Sequence, residues 1–142
     1  MKKKALISAC LLGINCKYSG GNNLLPEEKL QKLMDEYELI PVCPEVYGGL
    51  PAPRMPSERV GDRVVSKDGK DVTAEYEKGA EAALKLAETF GAEIAILKEN
   101  SPSCGSGKIY AGSFSGKLTD GDGVTAEKLK SNGIIIIGES KI

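Results

Sequence analysis

The chain has no histidine and no tryptophan, and only 5% of its 142 residues are aromatic. Without histidine there is no Ser-His or Cys-His nucleophile pair and no zinc site with an imidazole ligand. Proton transfer falls to carboxylates, thiols, tyrosines, lysines and water. So few aromatics argue against a base-stacking platform for single-stranded nucleic acid. Excess charge of one sign is also missing: the formal net charge is -1, which gives no bulk attraction to nucleic acid or anionic membranes. No apolar run approaches the roughly 20 residues that a membrane-spanning helix needs. The opening Met1-Lys2-Lys3-Lys4 leads into an apolar segment, residues 6–12, but Ser8 and Cys10 interrupt it and Gly13 ends it. A secretory signal requires about 7–15 apolar residues and a small-residue cleavage site. The segment therefore reads as a buried strand, and the protein is expected in the cytoplasm.

What is present suits a single α/β domain over residues 1–142, with 41% hydrophobic residues to build a core. Residues 4–9 read as a first buried strand, followed by a glycine-rich loop over 13–23. Pro26 suits a first helical turn, with Glu27 and Glu28 at the positive end of the helix dipole. Leu30, Leu33, Met34 and Tyr37 then form the apolar stripe. A second strand is expected over 38–42. Residues 43–58 contain four prolines and two glycines and read as loop. A short hairpin is expected next, residues 59–61 and then 63–66, with a turn at Lys67-Asp68-Gly69-Lys70. Thr73 reads as the N-cap of the longest helix, about 74–90, ended by Gly91. Ala80, Ala83, Leu84 and Ala87 give that helix a small-residue face. A third strand follows over 93–97, then a Gly- and Ser-rich loop over 98–122. Thr125 reads as the cap of a short helix to about 131, and the last strand is 134–137. This order predicts a three-layer, Rossmann-like domain: a mostly parallel sheet with helices on both faces.

Of the four cysteines, three fall where a parallel strand should end. Cys10 follows the first strand, Cys43 the second and Cys104 the third, and Cys16 lies in the loop after Cys10. In open α/β sheets, ligands bind in the crevice outside the carboxyl ends of the strands. Three thiols delivered there from distant positions predict one convergent sulfur site. Disulfides are rare in the cytoplasm, where cysteines more often serve metals or catalysis. A structural zinc takes four ligands and, without histidine, would need Cys16 as the fourth. Iron–sulfur clusters are likewise held by thiolates, and the spacing alone does not separate the two. A cluster with three protein ligands keeps one open position, which can act as a Lewis acid. A thiol-redox or persulfide protein using Cys10 and Cys16 is a third reading, although their spacing is not the Cys-x-x-Cys of thioredoxin-like proteins.

Three motifs in order carry a resemblance: Ser8-Ala9-Cys10-Leu11-Leu12-Gly13 with Cys16, then Cys43-Pro44-Glu45, then Ser101-Pro102-Ser103-Cys104-Gly105. With Gly49-Leu50-Pro51-Ala52-Pro53-Arg54 and Gly123-Val124-Thr125-Ala126, they make the chain similar to the thiouracil desulfidase family (domain of unknown function 523) in its stand-alone short form. The resemblance spans nearly the whole chain. It implies a [4Fe-4S] cluster held by Cys10, Cys43 and Cys104, and removal of sulfur from a thiolated pyrimidine or similar small thiocarbonyl heterocycle. It implies Glu45 as general acid/base, Ser101 as a group that orients substrate or water, and Cys16 as a proton donor or substrate contact. The expected reaction is hydrolytic, with Glu45 activating the water that attacks the thiocarbonyl carbon.

Asp120-Gly121-Asp122-Gly123 lacks the twelve-residue calcium-loop pattern and its terminal Glu, and reads as a turn into the next helix. Arg54, Arg59 and Arg63 can recognise a carbonyl, phosphate or carboxylate, or form surface salt bridges.

Overall fold

In the computed structural model, which describes residues 2–142, the chain runs β1 (Lys3–Ser8), a 3-10 turn (Ala9–Leu12), α1 (Glu27–Glu36), β2 (Tyr37–Val42) and α2 (Pro44–Tyr47). It continues through β3 (Ser57–Val60), β4 (Arg63–Ser66), α3 (Thr73–Phe90), β5 (Ile94–Leu97), β6 (Lys108–Tyr110) and β7 (Leu118–Asp120). It ends with α4 (Val124–Ser131), β8 (Ile135–Gly138) and a second 3-10 turn (Glu139–Lys141). β1 is buried from Ala5 onward, as only a strand covered on both faces is. It pairs in parallel with β2 on one side and β5 on the other, and β5 pairs in parallel with β8. The sheet order is β2-β1-β5-β8.

Side chains alternate across this sheet. Leu6, Ala95 and Leu97 pack with Ala83 and Ala87 of α3 and with Ala126 and Leu129 of α4. Ala5, Ile7 and Ile96 pack on the opposite face with Leu25 and with Leu33 of α1. Three layers result, as the alternation of elements predicts. Leu6, Ile7, Ile96 and Leu97 are almost wholly buried, and each contributes about 1.5–3 kcal/mol on leaving water. The chain steps from β1 out to β2, then returns to the other side of β1 with β5. The carboxyl ends of β1 and β5 therefore flank a topological switch point.

The backbones of α2 and α3 touch directly. A Cβ on Gly79 of α3 would stand 1.9 Å from the Pro44 carbonyl oxygen, and one on Gly48, just after α2, would stand 1.9 Å from that of Glu75. Reciprocal glycines thus seat the turn of helix that follows Cys43 directly on the backbone of the longest helix.

The main strands and helices lie within about a residue of the sequence expectation; the differences are local. The segment 43–58 is not all loop, because Pro44 occupies the first helical position of α2, where a missing N–H costs nothing. The first hairpin turns at Gly61-Asp62, pairing Ser57–Val60 with Arg63–Ser66. A second hairpin, β6–β7, stands inside the expected 98–122 loop. Neither threonine caps its helix. Thr73 Oγ1 instead accepts from the Val64 N–H at 2.7 Å, and Thr125 Oγ1 bonds to Ser103 Oγ at 2.8 Å. Both are consumed by tertiary contacts that a local pattern does not carry. Met34 is 42% exposed, so the buried stripe of α1 is narrower than its spacing suggests. Asp122 accepts from the Gly107 N–H and pairs with Lys130, and Asp120 pairs with Lys108. The acidic turn is tied into the β6–β7 hairpin and α4.

Candidate functional site

All four cysteines are free and line one cavity of about 450 Å³ at the carboxyl ends of the parallel strands. Glu45, Arg54, Tyr76, Ser101 and Lys98 line it with them. Cys10 lies in the 3-10 turn after β1, Cys43 is the residue before α2, and Cys104 lies in the loop after β5. The structure thus brings together every residue that the sequence nominated for the site.

Each thiol is held by a different device. The Cys10 carbonyl accepts from Asn23 at 2.9 Å and from Gly13 at 3.2 Å, folding the glycine-rich loop back over the turn. The Cys104 loop is held from two sides. Ser101 Oγ accepts from the Ser103 and Cys104 N–H groups at 3.0 and 3.1 Å. The first N–H groups of α4 donate back into the same loop, Val124 to the Pro102 carbonyl and Thr125 to that of Ser103, both at 2.8 Å. The orphan donors of a helix start thereby fix the Cys104 loop. A Cβ on Gly123 would fall 2.4 Å from the Ser103 carbonyl oxygen, so the fit admits no side chain there. Ser8 Oγ accepts from the Lys98 N–H at 2.9 Å and ties the ends of β1 and β5 together.

Arg54 joins the remaining parts. Its Nε donates to Glu45 Oε2 at 3.0 Å, and Nη2 donates to the same oxygen. Its Nη1 donates to the carbonyls of Cys16 and Pro51, both at 3.0 Å. The Cys43 thiol also points to the Cys16 carbonyl, 3.7 Å away. One guanidinium with 8% side-chain exposure therefore locks Glu45, the Cys16 loop and the proline-rich loop together. Burial opposes its charge, but the Glu45 carboxylate outweighs burial, and its pKa is raised. Arg59 and Arg63 are spent elsewhere, on Glu127 and Asp71. The Tyr76 hydroxyl also lies within hydrogen-bonding reach of the Glu45 carboxylate, and the Glu45 side chain is on the cavity wall. Ser101 accepts both of its bonds, so its own proton is available to the cavity.

Burial pushes the Cys16 thiol up to about 12, helped by the neighbouring Cys43 and Cys10. Burial likewise pushes Cys104 up to about 12, and Cys10 is raised by the same cause. An unfolded cysteine titrates near about 8.5. The folded apoprotein keeps protons on Cys16 and Cys104 that the unfolded chain releases above that pH. Its stability is therefore full below about pH 8.5 and falls as pH rises toward the folded values. Thermal melts of metal-free protein should show Tm falling between about pH 8 and pH 10, more steeply than in a Cys16→Ser/Cys104→Ser variant. Equal slopes would contradict it.

The donor set fits a cluster. Cys10, Cys43 and Cys104 line one cavity with Cys16, and thiolates select iron–sulfur and similar soft-metal centres. Among the described residues, no three Cys, Asp or Glu side chains converge at the spacing of a single ion.

Sequence reasoning missed several lining residues. Tyr76 is 2% exposed and lies beside Ser57 and Glu45, with burial and the carboxylate both raising its pKa. Its position on α3 reads as ordinary helix core, and only the seating of α2 on α3 turns it toward the site. Glu58, Tyr110 and Phe114 also line the cavity. They come from the two hairpins, whose packing against the strand ends leaves no local signature.

The 2-thiouracil desulfurase family model matches residues 5–141. YbbK, an uncharacterized protein of Bacillus subtilis (strain 168), is 44% identical over 147 aligned residues, covering 96% of each chain. Among solved structures, the [4Fe-4S]-dependent thiouracil desulfidase TudS (DUF523Vcz) superposes with a TM-score of 0.94 at 46% identity, covering 99% of this chain and 93% of that one. With the match spanning nearly every residue from the start of β1 to the last 3-10 turn, the chain belongs to the 2-thiouracil desulfurase family.

Proposed function

We propose that this chain is an iron–sulfur-dependent desulfidase that removes sulfur from a thiolated pyrimidine or similar thiocarbonyl heterocycle. The observation that carries the proposal is the convergence of Cys10, Cys43, Cys104 and Glu45 on one cavity at the strand ends. In this reading residues 1–142 act as one catalytic domain, and Cys10, Cys43 and Cys104 hold a [4Fe-4S] cluster. When bound through three protein ligands, such a cluster supplies an open, sulfur-seeking Lewis-acid position.

The chain's own residues do the rest. Glu45, oriented through Oε2 by Arg54, takes a proton from water at Oε1 as that water attacks the thiocarbonyl carbon, and then returns it to the departing sulfur. Ser101, already accepting two backbone N–H groups, turns its hydroxyl proton toward substrate or water. Cys16 is a proton donor or substrate contact. Heterocycle C=S and one water become C=O and hydrogen sulfide, and no electron is consumed. The substrate is a free small molecule, and the cytoplasm is the expected compartment for a chain whose four thiols stay unpaired. No described helix is long and apolar enough to cross a membrane. The family match and the iron–sulfur neighbour do not favour a zinc-only module or a thiol-redox protein.

Turnover of 2-thiouracil by anaerobically reconstituted protein in oxygen-18 water tests the reaction. The expected result is labelled uracil and sulfide in equal amounts without added reductant. Unlabelled product, or a need for reductant, would overturn the hydrolytic route.

A further inference from the structure

Phe114 has a left-handed backbone with φ of 54°, a conformation that glycine or asparagine adopts far more readily than a bulky aromatic. It sits at the tip of the β6–β7 hairpin, closed by the Ala111 N–H on the Lys117 carbonyl at 2.9 Å. The tip does not hold this shape alone. Glu58 of β3 is 8% exposed, and its Oε1 accepts from the Gly112 N–H at 2.8 Å and from that of Phe114 at 3.1 Å. A buried carboxylate from a separate hairpin thus fixes an unfavourable backbone at one aromatic residue, and that residue lines the thiol cavity. Strain that neighbouring structure over-determines is a mark of a functional site. Neither Glu58 nor Phe114 has a part in the proton transfers or the thiol set.

We propose that Phe114 is a specificity-determining wall of the cavity, on which the planar face of the heterocycle lies, and that Glu58 is the positioning residue that aims it. This rests on the desulfidase reading for the identity of the ligand, a flat unsaturated ring. Such a ring gains from an aromatic partner in an offset or edge-to-face arrangement. Sulfur capture and hydrolysis act at one edge of the ring and leave its face to be recognised by something else.

Steady-state kinetics of the reconstituted holoenzyme with 2-thiouracil, together with equilibrium dialysis of uracil, test the proposal. Phe114→Ala should raise KM and the uracil Kd about tenfold, within the range for losing an aromatic stacking partner on a base, with kcat changed far less. Phe114→Tyr keeps the ring and should restore both constants. Phe114→Gly should relieve the backbone and raise Tm while still binding weakly, a split that a purely structural role would not give. Glu58→Ala should follow Phe114→Ala in KM, and Glu58→Gln, which keeps an acceptor oxygen, should recover. Unchanged KM and Kd in Phe114→Ala would overturn the proposal, as would equal losses in Phe114→Tyr. If the wild type binds uracil but turns over no thiouracil, the reaction fails and the dialysis series still decides the role of Phe114.

Discussion

Glu45→Gln is expected to retain its iron and sulfide and to lose at least about a hundredfold in kcat, as removal of a general acid/base does. The amide keeps the shape of the carboxylate, and its oxygen can still accept from Arg54, so the clamp that spans Glu45, Cys16 and Pro51 survives. What the amide lacks is the capacity to take a proton from water. Cys43→Ser should fail by the other route. The hydroxyl is a poor ligand for a soft metal, so iron content should fall with activity. Each variant therefore needs iron and sulfide analysis beside the rate. A fully active Glu45→Gln would remove Glu45 from the mechanism. A Cys43→Ser protein with full iron would remove Cys43 from the ligand set.

Gly79→Ala should destabilise the fold by roughly 3 kcal/mol, the upper end for overpacking, and strip the site of its metal. In an ordinary helix interior the same change stabilises by up to about 1 kcal/mol, so the sign itself is diagnostic. The cost arises because the new Cβ would meet the Pro44 carbonyl oxygen at 1.9 Å. The atom in the way is backbone and has no rotamer to turn aside. Relief requires lifting α2 off α3, and α2 carries Glu45 in its first turn with Cys43 immediately before it. Denaturant melts of the apoprotein measure the first effect, and iron retention after reconstitution measures the second. A Gly79→Ala protein as stable as the wild type would show that the α2–α3 contact has slack.

Much of this was legible because strand ends are legible. Apolar runs of four to six residues place β1, β2 and β5 closely, and the parallel topology then carries Cys10, Cys43 and Cys104 to one end without further information. Glu45 was nominated through the family resemblance of its Cys43-Pro44-Glu45 motif, because a lone loop carboxylate carries no signal of its own. Arg54 was legible only as a cation with several possible partners. Its choice of Glu45 over solvent depends on the Cys16 loop folding back to offer a carbonyl, which is a tertiary event. Ser101 was nominated through the resemblance as a group that orients substrate or water, and the structure shows its hydroxyl oxygen also holding the turn into Cys104. Thr73 and Thr125 looked like caps because threonine before an amphipathic run usually is one. Both side chains instead reach across the chain, to Val64 and to Ser103. Tyr76, Glu58 and Phe114 were invisible for the same reason: their roles exist only after hairpins and helices pack against the strand ends.

Iron and acid-labile sulfide analysis of protein purified and reconstituted without oxygen tests the central claim most directly. The account predicts about four of each per chain, as for a [4Fe-4S] centre, in a brown protein. A colourless protein that stays free of iron after reconstitution and holds one zinc ion would contradict it.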